Sequence, residues 1–242
     1  MSEDDTTRLN PSKLGTKKYW EDFYALEKSN FEENPEDTGE CWFSDSDAEL
    51  KMVDFLFDNM DSLGKQNGDI KICDLGTGNG HLIFTLREEG FKGKLVGLDY
   101  SENSVAFCKE ILKEQHDGDD KMVFEKCDIL NDDEAIFEMG KDEDKFDVVL
   151  DKGTLDAIAL SDSRYKDDKL GVELYPSNVK RLLRKDGILL ISSCNFTENE
   201  LVKIIESEQE FKKWKCVEYP SFEFGGVKGQ TICTIAFKKT IV

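Results

Sequence analysis

Short apolar runs alternating with helical patterns constrain this chain more than any other feature. Residues 70–75, 94–99, 122–125, 146–150 and 188–192 read as strands. Helical periodicity falls between them: over 80–89, over a segment that Ser101 caps and that runs to about Gln115, and over 172–184, where Lys185-Asp186-Gly187 reads as a helix end. Strands in alternation with helices predict a mostly parallel sheet covered on both faces. The acidic stretch 131–145 reads as a loop with a short helix near 135–139. Thr197-x-x-Glu200 is a capping box that opens another helix, and 216–238 reads as two strands around a hairpin loop at 225–229, an antiparallel addition.

Ahead of this core, residues 1–13 form a polar tail expected to fray. An aromatic amphipathic helix is expected over 14–30, then a turn-rich break at 34–39 and a second helix opened by the box Ser46-x-x-Glu49. The expected organisation is therefore one domain over 14–242, with a helical cap at 14–63 and the core sheet at 70–242.

The first strand runs into Asp74-Leu75-Gly76-Thr77-Gly78-Asn79-Gly80. Ligands of open α/β sheets bind beyond the carboxyl ends of the strands, and glycines let backbone turn tightly and approach a ligand closely. A dinucleotide loop reads G-x-G-x-x-G; this one reads G-x-G-x-G after an acid. Asp74 is poorly placed for a pyrophosphate and well suited to a ligand with an ammonium group, as in the methionine portion of S-adenosylmethionine. Asp99 ends the second strand, where an acid accepts from both ribose hydroxyls of either a nicotinamide dinucleotide or S-adenosylmethionine. Tyr100 follows and can lie against the adenine. Asp128 ends the third strand and can accept from the adenine amino group, with Ile129 as an apolar wall. Asp151 ends the fourth, beside the expected reacting centre. Taken singly each acid reads as a turn residue; taken in order they predict an S-adenosylmethionine site made of Trp42, Asp74, Gly76, Thr77, Gly78, Asp99, Tyr100, Asp128, Ile129 and Asp151.

Composition narrows the partners. Lys plus Arg total 32 against 52 Asp plus Glu, a formal net charge of −20, which repels phosphate backbones and argues against nucleic acid. The same acidity suits a basic protein partner or simple solubility. Seven cysteines, an odd number without a C-x-x-C, suit reduced thiols in the cytoplasm. His81 and His116 have no ligand neighbour at metal spacing, so no metal is expected. Neither a signal core nor a membrane-length apolar run is visible.

With these positions assembled, the sequence resembles the eukaryotic methyltransferases that modify a lysine of translation elongation factor 1-alpha, including the fungal elongation-factor methyltransferases. The resemblance runs from about Leu14 to the end, through LGTKKYW at 14–20, DTGECWF at 37–43, DKGTLDAI at 151–158, SCNFT at 193–197 and FEFGG at 222–226. The glycine loop names only the seven-stranded class I (Rossmann-like) superfamily; the other segments are narrower. The resemblance implies strand order 3-2-1-4-5-7-6 with strand 7 antiparallel, S-adenosylmethionine as donor and elongation factor 1-alpha as protein substrate. Some fungal members are associated with vesicle transport. The oligomeric state is left open, with a monomer favoured.

Methyl transfer to lysine needs a neutral amine, and with a reference pKa of about 10.4 this costs roughly 4 kcal/mol near neutral pH. Asp151 is the expected orienting residue for the amine, its alternative being a cap of the following turn. Trp42 and Phe43 are expected to cover the cofactor with an aromatic face towards the sulfonium. Trp20, with Tyr19, lines the lysine channel or packs internally. Asn195 and Phe196 are placed at the substrate edge, and Lys152 in a surface ion pair. Competing readings are a small-molecule or RNA methyltransferase, a nicotinamide-dependent oxidoreductase, and a non-catalytic trafficking protein on the same fold.

Overall fold

A computed structural model describes residues 7–141, 144–220, 222–224, 227–229 and 232–240. The strands are β1 (Lys71–Leu75), β2 (Lys94–Asp99), β3 (Met122–Lys126), β4 (Phe146–Lys152), β5 (Leu183–Ser193), β6 (Phe211–Val217), β7 (Phe222–Phe224), β8 (Val227–Gly229) and β9 (Cys233–Lys239). The main sheet runs β3-β2-β1-β4-β5-β9-β6, and β7 with β8 forms a separate ribbon. Counting only the seven strands of the main sheet, the order is 3-2-1-4-5-7-6, and its last strand in sequence, β9, is antiparallel to both neighbours. The other pairings are parallel. This is the seven-stranded class I methyltransferase architecture.

Period-two alternation divides the strands between two apolar layers. Ile72, Leu95, Val148, Leu150 and Ile188 face one layer; Cys73, Val96, Val149, Leu189 and Ile191 face the other. The first layer is closed by α1 (Lys17–Glu33), α2 (Ala48–Asn59), α3 (His81–Glu88) and α4 (Glu102–Gln115). The second is closed by α5 (Asp133–Met139), α6 (Thr154–Ala159), α7 (Gly171–Leu182) and α8 (Glu198–Ile205). Burying a large aliphatic or aromatic side chain contributes about 1.5–3 kcal/mol, so two filled layers suffice without cross-links. All seven cysteines are free thiols.

Several local expectations are met. Ser101 caps α4 by accepting from Ser104 N, and Thr197 with Glu200 forms the reciprocal box at α8. Others are corrected. Ser46 does not cap α2: Asp47 occupies that position at φ 51° without a side-chain cap, and Glu49 turns inward instead. The helix expected to reach Arg184 ends at Leu182, because Leu183 is buried and already pairs with Phe146; β5 begins there and shifts register before Ile188. Thr154–Ala159 is helical, an element the periodicity missed. Residues 7–13 differ from the expected frayed tail: Leu9 packs on the second layer and Ser12 N donates to Leu160 O at 3.0 Å. Residues 1–6 of that tail, and Gly225 and Gly226 of the hairpin loop, lie outside the described residues.

The cap joins the core through polar contacts as well as apolar ones. Glu21 on α1 accepts from Ser101 Oγ at 2.8 Å, Glu102 N at 3.1 Å and Asn103 N at 3.2 Å, so it satisfies amides at the start of α4. No helix among the described residues is long and apolar enough to cross a membrane.

Candidate active site

Above the carboxyl ends of β1, β2, β3 and β4 lies a cavity of about 750 Å³. Its floor is the turn from β1 into α3. Gly76, Gly78 and Gly80 all hold positive φ, at 61°, 60° and 79°, which a side chain would strain. Two of them also admit neighbours. A Cβ on Gly76 would sit 2.1 Å from Thr154 Oγ1, which donates to Leu75 O at 2.6 Å. A Cβ on Gly78 would sit 2.4 Å from the Tyr24 hydroxyl. The loop is thus shaped partly by what packs beneath and beside it, not by a ligand alone.

Acids ring this floor. Asp99 Oδ2 accepts from Gly78 N at 3.0 Å and Oδ1 from Ser101 N at 2.8 Å, coupling the tip of β2 to the glycine turn. Burial pushes Asp99 up to about 6 despite those donors. Asp74 is 3 % exposed, and burial pushes it up to about 7. The Lys152 ammonium favours the charged form of Asp74 only in part; two buried carboxylates so weakly compensated are costly and suit a cationic ligand. Asp128 is half-buried and already accepts from Leu130 N at 3.0 Å and Asn131 Nδ2 at 2.7 Å. Thr77, Tyr100 and Ile129 line the same space, and Lys17 Nζ lies 5.5 Å from the Tyr100 ring centroid.

The roof is aromatic. Trp42 meets Trp20 edge to face with centroids 5.4 Å apart, and Trp20 stacks on Tyr24 at 5.9 Å. Trp20 Nε1 donates to Leu14 O at 2.7 Å, whereas Trp42 Nε1 is buried with no partner among the described residues. Asn79 Nδ2 fastens the segment before Trp42 to the glycine turn through Thr38 O and Glu40 O, at 3.1 and 2.9 Å.

Three expectations are not met here. Asp151 does not line the cavity. It is fully buried, accepting from Thr154 N at 2.7 Å, Leu155 N at 3.0 Å and Tyr175 Oη at 2.5 Å, so it caps α6, and burial pushes it up to about 7. Phe196 is 3 % exposed and packs in the second apolar layer, away from the cavity; Asn195 does line it. Lys152 is not in a surface pair either, since its side chain is 12 % exposed and forms part of the cavity wall.

Sequence reasoning missed Tyr24, Thr154, Asp156 and Tyr165, all of which line the cavity. Asp156 accepts from Ser193 Oγ, and from Cys194 N at 2.8 Å; Ser193 Oγ in turn accepts from Asn195 N and Phe196 N. The signal was available: Asp156 stands in the same DKGTLDAI run, five residues beyond Asp151 and within the helix that follows it.

A glycine turn and two buried acids under an aromatic roof, at the strand tips of a 3-2-1-4-5-7-6 sheet, define a class I methyltransferase. A family model described as "Methyltransferase domain" matches residues 66–235. The chain is 52 % identical to protein-lysine N-methyltransferase EFM4 of Saccharomyces cerevisiae over 97 % of its own length and 98 % of that protein's. It is 30 % identical to EEF1A lysine methyltransferase 2 of Homo sapiens, across 95 % of this chain and 88 % of the human one. Among solved structures, magnesium protoporphyrin IX methyltransferase of Synechocystis with bound S-adenosylmethionine superposes with a TM-score of 0.51 at 16 % identity, covering 90 % of this chain and 97 % of that one, a likeness of fold alone. The chain belongs to the family of S-adenosylmethionine-dependent protein-lysine N-methyltransferases that contains EFM4 and EEF1A lysine methyltransferase 2.

The residues present fit that donor. The cavity is large enough for a nucleoside with an amino-acid arm, Asp74 and Asp99 form no ion pair among the described residues, with Lys152 only partly offsetting the burial of Asp74, and a buried indole N–H is without an acceptor among them.

Proposed function

We infer that this chain transfers a methyl group from S-adenosylmethionine to a lysine of translation elongation factor 1-alpha. The observation that carries the substrate is 52 % identity to EFM4 over nearly the whole chain, within a family whose human member is named for methylating EEF1A. The strongly acidic chain suits a basic docking surface.

In this reading Asp74 faces the donor's ammonium, and Asp99 takes the ribose hydroxyls. Asp128, whose carboxylate already holds its own turn, contributes a remaining lone pair and, with Ile129 and Tyr100, the adenine wall. Gly76, Thr77 and Gly78 supply close backbone approach, and Trp42 the roof. Bound S-adenosylmethionine supplies an electrophilic methyl group on a sulfonium. Trp20, Tyr165 and Asn195 form the acceptor side, where apolar walls exclude water from the incoming amine and lower its pKa. Asp156 holds the 193–196 turn that carries Asn195. Alignment of amine and methyl can supply about 7–11 kcal/mol, more than the roughly 4 kcal/mol of deprotonation, so no strong base is required of the chain. The domain is read as one unit over 14–242 with its cap at 14–63. It is read as monomeric and cytoplasmic: the large exposed apolar side chains Leu26, Leu50 and Phe137 are scattered over three helices, and the thiols are free.

Mass spectrometry of purified elongation factor 1-alpha, incubated with enzyme and S-adenosylmethionine, tests the assignment. A mass gain of one or more methyl groups on a single lysine is expected. Methyl transfer to a small metabolite in extract, with the factor unmodified, would overturn it.

A further inference from the structure

Lys152 ends β4, and its Nζ donates to the Trp42 carbonyl at 3.0 Å. The same ammonium pairs with Glu49 Oε2 at 3.3 Å, and the two side chains are 12 % and 11 % exposed. Glu49 Oε1 accepts from the Thr85 hydroxyl of α3 at 2.7 Å. One ion pair thus ties β4, α2 and α3 to the segment carrying Trp42. A pair buried this far adds little net stability, because dehydrating both charges offsets most of their attraction. What it does set is the position of a backbone carbonyl.

That segment needs holding. Phe43 and Asp47 both sit at positive φ, 66° and 51°, in a region side chains disfavour. The Phe43 ring lies against Gly153, where a Cβ would approach it to 3.0 Å. On the other face of the segment the Trp42 indole roofs the cavity with its Nε1 buried and unpartnered among the described residues. Cys41, Glu49 and His81 also bring ligand atoms within 4.8 Å of one another. The Lys152 ammonium, 3.3 Å from Glu49 and 3.9 Å from Cys41 Sγ, already supplies the cation of that cluster, so it reads as a latch and not as a metal site.

We propose that Lys152 is a positioning residue for methyl transfer: latched by Glu49, it fixes the Trp42 carbonyl and so aims the indole N–H at an oxygen of the bound donor. The proposal rests on reading the cavity as the donor pocket. It does not depend on which protein is methylated.

The test measures S-adenosylmethionine affinity by calorimetry, and kcat and KM in parallel, for K152M, K152R, W42F and the double variant K152M/W42F. W42F keeps an aromatic ring and removes the N–H. Each of K152M and W42F is expected to weaken donor binding about tenfold, K152R to recover to within about threefold, and the double variant to be no weaker than either single change. Losses that multiply to about a hundredfold would show Lys152 acting independently of Trp42 and overturn the proposal. So would unchanged donor affinity in a K152M protein whose melting temperature has dropped. Should K152M not fold, E49Q takes its place in the cycle with the same two overturning results. Wild-type enzyme that binds the donor but leaves elongation factor 1-alpha unmodified would count against the substrate assignment alone.

Discussion

Tyr175 Oη donates to Asp151 Oδ2 at 2.5 Å, both residues fully buried where α7 crosses the end of β4. That bond, with two amides of α6, accounts for the whole carboxylate and separates a helix cap from a catalytic acid. Tyr175→Phe is expected to lower stability by about 1–3 kcal/mol, the cost of leaving a buried acceptor short of a partner. Urea denaturation reads this directly, and donor affinity should stay within twofold or so. Asp151→Asn should likewise weaken the fold while keeping much of kcat. A kcat collapse in a fully stable D151N protein would restore the acid to the chemistry.

Asp99 grips the glycine turn through Gly78 N and faces the cavity. Hydrogen bonds to a charged group are worth about 1.5–3 kcal/mol. Asp99→Ala should therefore weaken S-adenosylmethionine binding on the order of tenfold to a hundredfold in calorimetry. Asp99→Asn should fall between it and wild type, because the amide oxygen can still accept from Gly78 or Ser101.

Buried carboxylates give donor binding a pH dependence of definite sign. Asp74 and Asp99 stand near 7 and 6 in the folded chain, raised by burial from an ordinary 3.8. The folded state then holds protons that the unfolded state has released. Their contribution to unliganded stability is complete below pH about 4 and is lost as pH rises through 6 to 7. A cationic donor favours the ionised form, so its affinity should rise over that same upper window. Calorimetry from about pH 5.5 to 8 would show this, and Asp74→Asn should flatten the curve. An affinity that falls with rising pH would contradict the placement of the donor's ammonium beside Asp74.

Gly78→Ala tests the geometry of the turn. The new methyl would meet the Tyr24 hydroxyl at 2.4 Å while the backbone holds φ 60°. Conformational strain of about 1–3 kcal/mol adds to the clash. A lowered melting temperature and weakened donor binding are expected, and adding Tyr24→Phe should recover part of the loss by removing the clashing oxygen. No recovery would place the whole cost in the backbone.

Asp156→Ala removes the acceptor that orders Ser193 and Cys194. Donor affinity should be nearly unchanged while KM for the protein substrate rises, as steady-state kinetics with elongation factor 1-alpha can separate. An effect on donor affinity alone would move Asp156 to the other side of the cavity.

Much of this was written locally. Short strand-like runs with Asp74, Asp99 and Asp128 at or just beyond their carboxyl ends announce strands whose tips meet, since parallel strands joined by helices must all end on one edge. Glycines at 76, 78 and 80 announce positive φ because little else tolerates it. Ser101 and Thr197 announce helix starts, because their side chains reach amides only two or three residues away. Each of these signals acts over a few bonds, and a linear string carries it.

What a side chain faces across the fold is a different matter. Asp151 reads as catalytic by position, yet Tyr175, 24 residues further on, folds over it. Phe196 belongs to the second apolar layer only because α8 packs there, and Lys152 is buried only because Glu49, 103 residues earlier, comes to meet it. Such partners arrive through layer packing and register, which depend on the whole sheet closing at once. Sequence alone determined the sheet, its order of acidic tips and the donor they suit; tertiary packing decided which acids remain free to touch a ligand and which are consumed in holding the fold, because burial and hydrogen bonding are properties of neighbours brought from afar.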